Sequence, residues 1–463
     1  MPQDKTTSTI KWMLAIAMVG SAIMAERLQA ADRVELPAAS SKRSPLSWDG
    51  AIHLALEKQP RIKIAQHEVL ESQAVVKQIE SVNYPQVTGI YASTGGNTRV
   101  LANLGISGSL PKPTNYLTTP GIRVDLLITD FGRTAHQILA QKAFTSSAEK
   151  AVLTSKALTI LNVEQSYLNC LKQRRLVDIA REVFKERTLI RDQAATFYQH
   201  QLRSKLDLDF ASVEADRAEL ALIKAENDLK AAFAALNNAM GLQPGAEYDL
   251  EIGTLSITPA PAIDSLLPEA LAKRPELLGS KDRIQAAEEA LKAAKALNFG
   301  NITAIGTAGY TWWSREEESS GQAVSNPGAK LGWWGAGGTS AFPLYTGGRI
   351  EGQINEAEAR KAEVEADTRV IANDIVLQVA QAFLSRLTAQ EQITVAEEKV
   401  AHAREALTLA RERYKAGLGS ILDVVTATAD LLNAEVGLAT AQYDFRASDA
   451  ALAYATGVEY GRY

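Results

Sequence analysis

The sequence predicts a mainly α-helical chain with a small β part, assembled from two copies of one repeat. Three observations lead there. First, Arg133 to Met240 holds neither proline nor glycine, and Leu344 to Tyr463 holds no proline. Both stretches are rich in Ala, Leu, Glu, Lys, Arg and Gln, which favour helix. Second, landmarks recur at nearly one spacing. ALEKQP (55–60) returns as ALAKRP (270–275), and TDFGR ending at Arg133 returns as TGGR ending at Arg349. YQHQLRSKLDL from Tyr198 returns as YKAGLGSILDV from Tyr414, and AMGL around Gly241 as ATGV around Gly457. The shift is 215 residues for the first pair (275 − 60) and 216 for the others (414 − 198), the mark of a duplication. Third, four short segments read as strands, two of them with clear period-two alternation.

The elements follow in order. Lys5 and Lys11 precede an apolar run of 14 residues, Trp12 to Ala25, too short to span a bilayer as a helix. Small residues follow, with a cleavage site at Leu28-Gln29-Ala30, so residues 1–30 read as a secretory signal. A short uncleaved anchor is the alternative. No cysteine lies near this point, so no lipid anchor on an N-terminal cysteine is expected, and residues 31–45 form a linker. The first repeat (46–242) opens with a helix and continues with strands at about 84–92 and 119–129. In GIRVDLLIT, Ile122, Val124, Leu126 and Ile128 share one face, with Arg123, Asp125 and Thr129 opposite. The stretch from 133 to 241 is too long for one helix of a compact domain and reads as a helical hairpin. A connector (243–264) holds Pro244, Pro259 and Pro261, with a short strand expected in YDLEIGTLSI. The second repeat (265–457) has a helix, strands at about 301–312 and 331–344, and a hairpin at 348–456; residues 458–463 are a tail.

Polar, glycine-rich loops, 93–118 and 314–330, join the strands of each pair. Trp312, Trp313, Trp333 and Trp334 flank the second loop and fit the aromatic girdle of an outer-membrane barrel. The rival is a soluble sheet with an aromatic core, against which the secretory signal and the polar second face both speak. Four strands cannot close a barrel, and an open sheet edge in lipid leaves backbone groups unsatisfied. Strands in a membrane therefore require several chains to share one barrel.

Composition narrows the function. A net charge of −5 gives no reason to expect nucleic acid. The single cysteine, Cys170, excludes an internal disulfide and a multi-thiolate metal site. The histidines at 53, 67, 136, 200 and 402 are scattered, with no HExxH, and no serine sits in a G-x-S-x-G elbow. Acid pairs such as Glu288-Glu289 and Glu397-Glu398 fall on solvated helical faces. No catalytic constellation, cofactor or metal site is expected. After the N-terminal run, no segment offers 18 consecutive apolar residues.

YKAGLGSILDVV (414–425) resembles a phosphate loop at first sight. It lacks the third glycine or the Lys-Ser/Thr ending, and it follows a helix instead of a strand. It reads instead as a helix–turn–helix. Gly417 suits the left-handed C-terminal cap, and Ser420-Ile421-Leu422-Asp423 a capping box, which Ser204-Lys205-Leu206-Asp207 repeats.

The opening helix SWDGAIHLALEKQP, the joins LLITDFGR and FPLYTGGR, and the tip RYKAGLGSILDVVTATADLLNAE together resemble the TolC-like outer-membrane factor family, over roughly Leu46 to Gly457. The resemblance implies a homotrimer: a shared 12-stranded outer-membrane β-barrel, four strands per chain, above a trimeric α-helical tunnel of long antiparallel hairpins reaching into the periplasm. It implies an exit duct for tripartite efflux or type I secretion. The duct would serve a periplasmic adaptor and an inner-membrane pump of RND, ABC or MFS type. The class-level alternative is a periplasmic coiled-coil scaffold without channel activity. By the same resemblance, Asp423 and Tyr414 belong to the periplasmic entrance, with Asp207 at the matching place of the first repeat as cap or gate contact. Gly417-Leu418 would dock the adaptor, and Gln201-Leu202 stand at the first tip. Two positions depart from the family pattern: Gly419 stands where a member has a latch arginine, and Thr426 where it has a second pore aspartate.

Overall fold

The computed structural model describes residues 44–96, 114–251, 262–319, 322–326 and 330–458. The expected secretory signal, linker residues 31–43, part of each strand-joining loop, residues 252–261 and the tail beyond Val458 lie outside them.

Each half opens with a broken helix. Strand β1 (Ser44–Leu46) leads into α1 (Trp48–Lys58), capped by Ser47, whose hydroxyl accepts from the Gly50 N–H. Helix α1 stops because Gln59 precedes a proline and is held extended, at φ −64° and ψ 119°. Helix α2 (Pro60–Glu80) restarts with that proline in its first turn. The sequence suggested one opening helix per half; the residue–proline step divides it in both.

The chain then forms β2 (Gln86–Gly96), β3 (Thr114–Thr129), α3 (Arg133–Gln199) and α4 (Lys205–Ala239). Strand β4 (Tyr248–Leu250) pairs in parallel with β1. The second half begins with α5 (Ile263–Lys273), whose first two residues fall in the span expected for the connector, breaks at Arg274, and restarts as α6 (Pro275–Ala296). After it come β5 (Asn301–Ser319), β6 (Gln322–Asn326), β7 (Lys330–Ala341), α7 (Arg349–Lys415) and α8 (Ile421–Thr456). Helices α3 and α7 have 67 residues each, about 100 Å at 1.5 Å per residue.

The sheet is antiparallel in the order β2–β3–β5–β7, with β6 extending the ladder at the far end of β5. The segment expected as a loop at 314–330 is thus largely strand, since Arg315 to Ser319 pair with β6. Among the described residues, the outer edges of β2 and β7 have no partner strand.

Alternation sorts the faces. Ile122, Val124 and Leu126 stand opposite Ala308, Gly306 and Ala304, and Trp334 stands opposite Ala308. This face presents Val87, Tyr91, Ile122, Tyr310, Trp312 and Trp334, all exposed. Ile128 falls at a bulge between Leu127 and Thr129, which ends the alternation expected to include it. The other face carries Arg123, whose guanidinium donates to Asp125 at 2.8 Å. It also carries Trp333, whose ring lies over Gly121 and Gly309; a Cβ at 309 would sit 2.7 Å from it. Trp312 and Trp334 thus share the apolar face, and Trp333 lies on the other. The side chain of Trp313 lies outside the described residues. At the opposite end of the sheet, where the helices begin, Phe131 meets Phe299 and Phe342 at ring distances of 5.9 and 6.3 Å.

The main apolar cluster packs α1, α3, α4 and β4 through Ile52, Val163, Tyr167, Phe233, Leu236 and Leu250. Tyr167 stands edge-on to Trp48 at 5.3 Å, and its hydroxyl reaches the carbonyls of Leu46 at 2.9 Å and Glu251 at 3.1 Å. Burial raises the pKa of that hydroxyl. One side chain thus fastens the β1–β4 ribbon to the middle of a long helix. Tyr167→Phe removes the only donor those carbonyls share. It is expected to cost about 1–2 kcal/mol, read as a lower denaturant midpoint with unchanged far-ultraviolet circular dichroism; an unchanged midpoint would show that water serves the carbonyls equally well.

Candidate functional site

The hairpin tips gather most of the residues singled out in the sequence. Both tips close with the same hydrogen bonds. After α7, Leu418 N–H donates to Arg413 O at 2.9 Å and Gly417 N–H to Tyr414 O at 3.1 Å. After α3, Leu202 N–H donates to Phe197 O at 2.9 Å and Gln201 N–H to Tyr198 O at 2.9 Å. This double bond pattern requires a left-handed residue at the turn. Gly417 takes it at φ 74°, whereas in the first tip a glutamine is held there, Gln201 at φ 58°.

The restarts differ in detail. Ser420 and Asp423 form a full capping box: the Asp423 N–H donates to Ser420 Oγ at 3.2 Å, and the Ser420 N–H donates to Asp423 Oδ2 at 2.9 Å. In the first tip the Asp207 N–H donates to Ser204 Oγ at 3.3 Å, without the reciprocal bond. Asp207 is free to act elsewhere, and it lies near enough to Tyr414 to oppose ionisation of the phenol. Burial is the larger cause of the raised Tyr414 pKa, and Arg203 counters it. Asp423 and Thr426 are exposed on α8.

Three polar contacts join the first hairpin to the second near the tips. The Arg203 guanidinium lies over the Tyr414 ring, 5.1 Å from its centre. Glu186 on α3 pairs with Arg411 on α7. Arg187, only 4% exposed, donates from Nη2 to the Val425 carbonyl at 3.0 Å. Burial lowers the Arg187 pKa, and Glu214 acts against that shift. Between these contacts the hairpins leave an open groove of about 1140 Å³, lined by Leu189, Phe197 and Leu202 with Tyr414 and Ile421.

The structure thus brings Tyr414 and Asp207 together and leaves Asp423 bonded to its own turn. Sequence reading passed over Arg203, Arg187 and the Glu186–Arg411 pair. For Arg203 a signal existed: the repeat spacing of 216 places it opposite Gly419 (419 − 203), so the arginine absent from the second tip stands in the first. A side chain at 419 would meet Arg413 Cβ and Tyr414 N at 3.3 Å. For the other two, nothing in a helical charge pattern tells which arginine a neighbouring hairpin covers.

Elsewhere, among the described residues, no group of histidine, cysteine and carboxylate side chains is placed to hold a metal ion. Cys170 is buried in α3, which pushes its thiol pKa up to about 12 and leaves it inert.

Comparison with known proteins places the whole arrangement. The model of the family described as outer membrane efflux protein matches residues 51–242 and again 266–458, once on each half. A probable outer membrane lipoprotein, SilC, of Salmonella typhimurium is 25% identical, covering 81% of this chain and 78% of its own. The cation efflux system protein CusC of Escherichia coli K12 is 23% identical, covering 87% and 84%. The crystal structure of the outer membrane protein VceC of Vibrio cholerae shares the fold, with a TM-score of 0.73 at 21% identity over 89% of this chain and 96% of that one. Long hairpins below a short four-stranded sheet are the architecture of that family of channels, which are not enzymes, and the chain belongs to the outer membrane efflux protein family.

Proposed function

We propose that this chain is the outer-membrane exit duct of a tripartite efflux or type I secretion machine. It passively conducts what an inner-membrane pump delivers through a periplasmic adaptor. The observation that carries this reading is the sheet: four strands side by side, with β6 extending the ladder of β5, one apolar face and two edges unpaired among the described residues, continuous with hairpins about 100 Å long. Three copies joined edge to edge give twelve strands and a closed ladder, which satisfies every edge group in lipid. The apolar face with Tyr310, Trp312 and Trp334 then meets lipid, with Phe131, Phe299 and Phe342 at the periplasmic border. The Arg123–Asp125 face lines the channel. Export through the 1–30 signal supports the location, and the sole cysteine, deep in α3, supports a chain that is not lipid-anchored. Substrate choice belongs to the pump.

At the tips we assign the closed entrance to the contacts across the hairpins. Arg203 on Tyr414, with Asp207 beside them, does from the first tip what an arginine at 419 does from the second in the resembled family. Opening by outward movement of α7 and α8 must break Arg203–Tyr414, Glu186–Arg411 and Arg187–Val425 together. Asp423 caps α8 and, repeated around a threefold axis, also presents a ring of carboxylates that favours cations.

Heat-resistant trimers in the outer-membrane fraction, with channel conductance in planar bilayers, are expected; a monomeric periplasmic rod would establish the scaffold alternative. In those bilayers Asp423→Asn should lower cation over anion preference several-fold. Ser420→Ala should keep the preference while costing about 1 kcal/mol of tip stability. Equal selectivity in Asp423→Asn and the parent would assign that carboxylate to capping alone. Arg203→Ala should raise uptake of bulky antibiotics by intact cells, and Arg203→Lys, which keeps a cation over the ring, should raise it less. Uptake unchanged in Arg203→Ala would remove this contact from the closure.

A further inference from the structure

The duplication relates surfaces as well as segments. Helix α6 of the second half packs on α7 of its own half and on α3 of the first. The matching helix of the first half, α2, packs on α3, and its Ile64, His67 and Leu70 stay exposed. The α3 surface beneath α6 includes Ser147, Lys150 and Ala151, buried or half-buried; the matching residues of α7, Glu363, Ala366 and Asp367, are all exposed. The sheet repeats the relation, since β3 joins β5 between the halves and the edges of β2 and β7 remain open. Shifting the α6–α3 contacts by the repeat gives a register for α2 on α7, with steps of 215 in the opening helices (276 − 61) and 216 in the long ones (367 − 151). A Cβ at Gly279 would lie 3.3 Å from Lys150 Cβ. The shifted pair is Ile64 and Ala366, with large and small exchanged. Glu276 lines one cavity of about 430 Å³ with Ala151 and Ser147. The shifted residues are Arg61, Asp367 and Glu363, a cation before two carboxylates. Arg283 Nε donates to Ser147 Oγ at 3.1 Å, and there the shifted pair is Glu68 and Glu363, of like charge. Glu68, however, shares a cavity of about 300 Å³ with Arg283 of its own chain, which leaves Glu363 to Arg61.

Reversed charge at matching positions is a pattern. Arg61 matches Glu276, Glu68 matches Arg283, Glu80 matches Lys295 and Lys142 matches Glu358. One bridge shows the exchange directly: Lys142–Glu80 at 2.9 Å in the first half returns as Lys295–Glu358 at 3.4 Å in the second, with the signs swapped. In a ring of copies the two halves alternate. Equal signs at matching positions would set like charges side by side, whereas exchanged signs set opposites there. We infer that this exchange of charge is the recognition code of the seam between copies of this chain: α2 of one copy seats on α7 of the next, with Ile64 on Ala366 and Arg61 against Glu363 and Asp367. The inference rests on the duct reading above and adds which side chains select the partner. The same register on α3 would bring Arg61 and Ile64 onto Lys150, so the code also rejects the wrong half.

The test combines Ile64→Cys with Ala366→Cys in one full-length chain, oxidised in the cell envelope and run on denaturing gels without reductant. The two Cβ atoms fall within disulfide reach in this register, so covalent trimers should appear. Cys170 is buried and should form no bridge. Ile64→Cys with Val370→Cys should lock about tenfold less, because one helical turn moves the partner by about 5 Å. In the chain without added cysteines, Arg61→Glu should lower the melting temperature of the trimer, and adding Asp367→Arg should restore most of the loss, a coupling that two independent surface changes would not show. More locking at 370 than at 366 overturns the register. Equal melting of Arg61→Glu and the parent overturns the charge code. Trimers that stay intact but never lock at 64 and 366 overturn the whole inference and leave the duct reading standing. A parent chain that forms no trimer would overturn that reading and this inference with it.

Discussion

The constraint on which the rest depends is the pairing of backbone groups along the edges of β2 and β7. A sheet of four strands with two free edges and one apolar face is stable neither in water nor in lipid as a single copy. Water punishes the exposed Val87, Tyr91, Ile122 and Trp334, and lipid punishes the unpaired N–H and C=O groups. Closure with further copies removes both costs. It also forces the attached helices into a ring, so the hairpins enclose a space. The long helices are shaped for that role. Their apolar contacts are narrow, with alanines such as Ala211, Ala215 and Ala218 at the buried seam of α4, and residues such as Leu377 and Leu384 of α7 stay uncovered within one chain.

Duplication explains the economy of the fold, and departure from it marks where the halves do different work. Gln59 and Arg274 sit at the matching break between paired helices. Gln59 donates to the Asn238 and Ala239 carbonyls, and Arg274 to the Ala455 carbonyl, so each fastens the opening helices to the end of its own hairpin. Elsewhere the halves exchange parts. The arginine of the tip stands at 203 and its glycine at 419; the left-handed turn is a glutamine at 201 and a glycine at 417; the strand-to-helix join has Phe131 against Gly347. Each exchange keeps the backbone geometry and changes which side chain is presented there.

Much of this was legible in the residues. Runs free of proline and poor in glycine give long helices because little interrupts the hydrogen-bond ladder, and the turn at Gly417 with Ser420 and Asp423 carries its own caps. The split of the opening helices was written in Gln59-Pro60 and Arg274-Pro275, and reading them as one helix overlooked the restriction that proline imposes on its predecessor. The extension of β5 to Ser319 was hidden because a polar, glutamate-rich ladder looks like a loop to any hydrophobicity pattern.

The sequence by itself determined the duplication, the helical hairpins, the sheet with one apolar face, and hence the family and its class of function. These depend on local propensity, on alternation and on spacing along the chain, all of which are one-dimensional. Only the tertiary structure decided that the Trp333 ring lies over Gly121 and Gly309, that Phe131 meets Phe299 and Phe342, and that Arg203 stacks on Tyr414 while Arg187 reaches the Val425 carbonyl across the hairpins. Those contacts join residues far apart in the chain, and their partners are set by the register and rotation of packed helices, which no single stretch of sequence encodes.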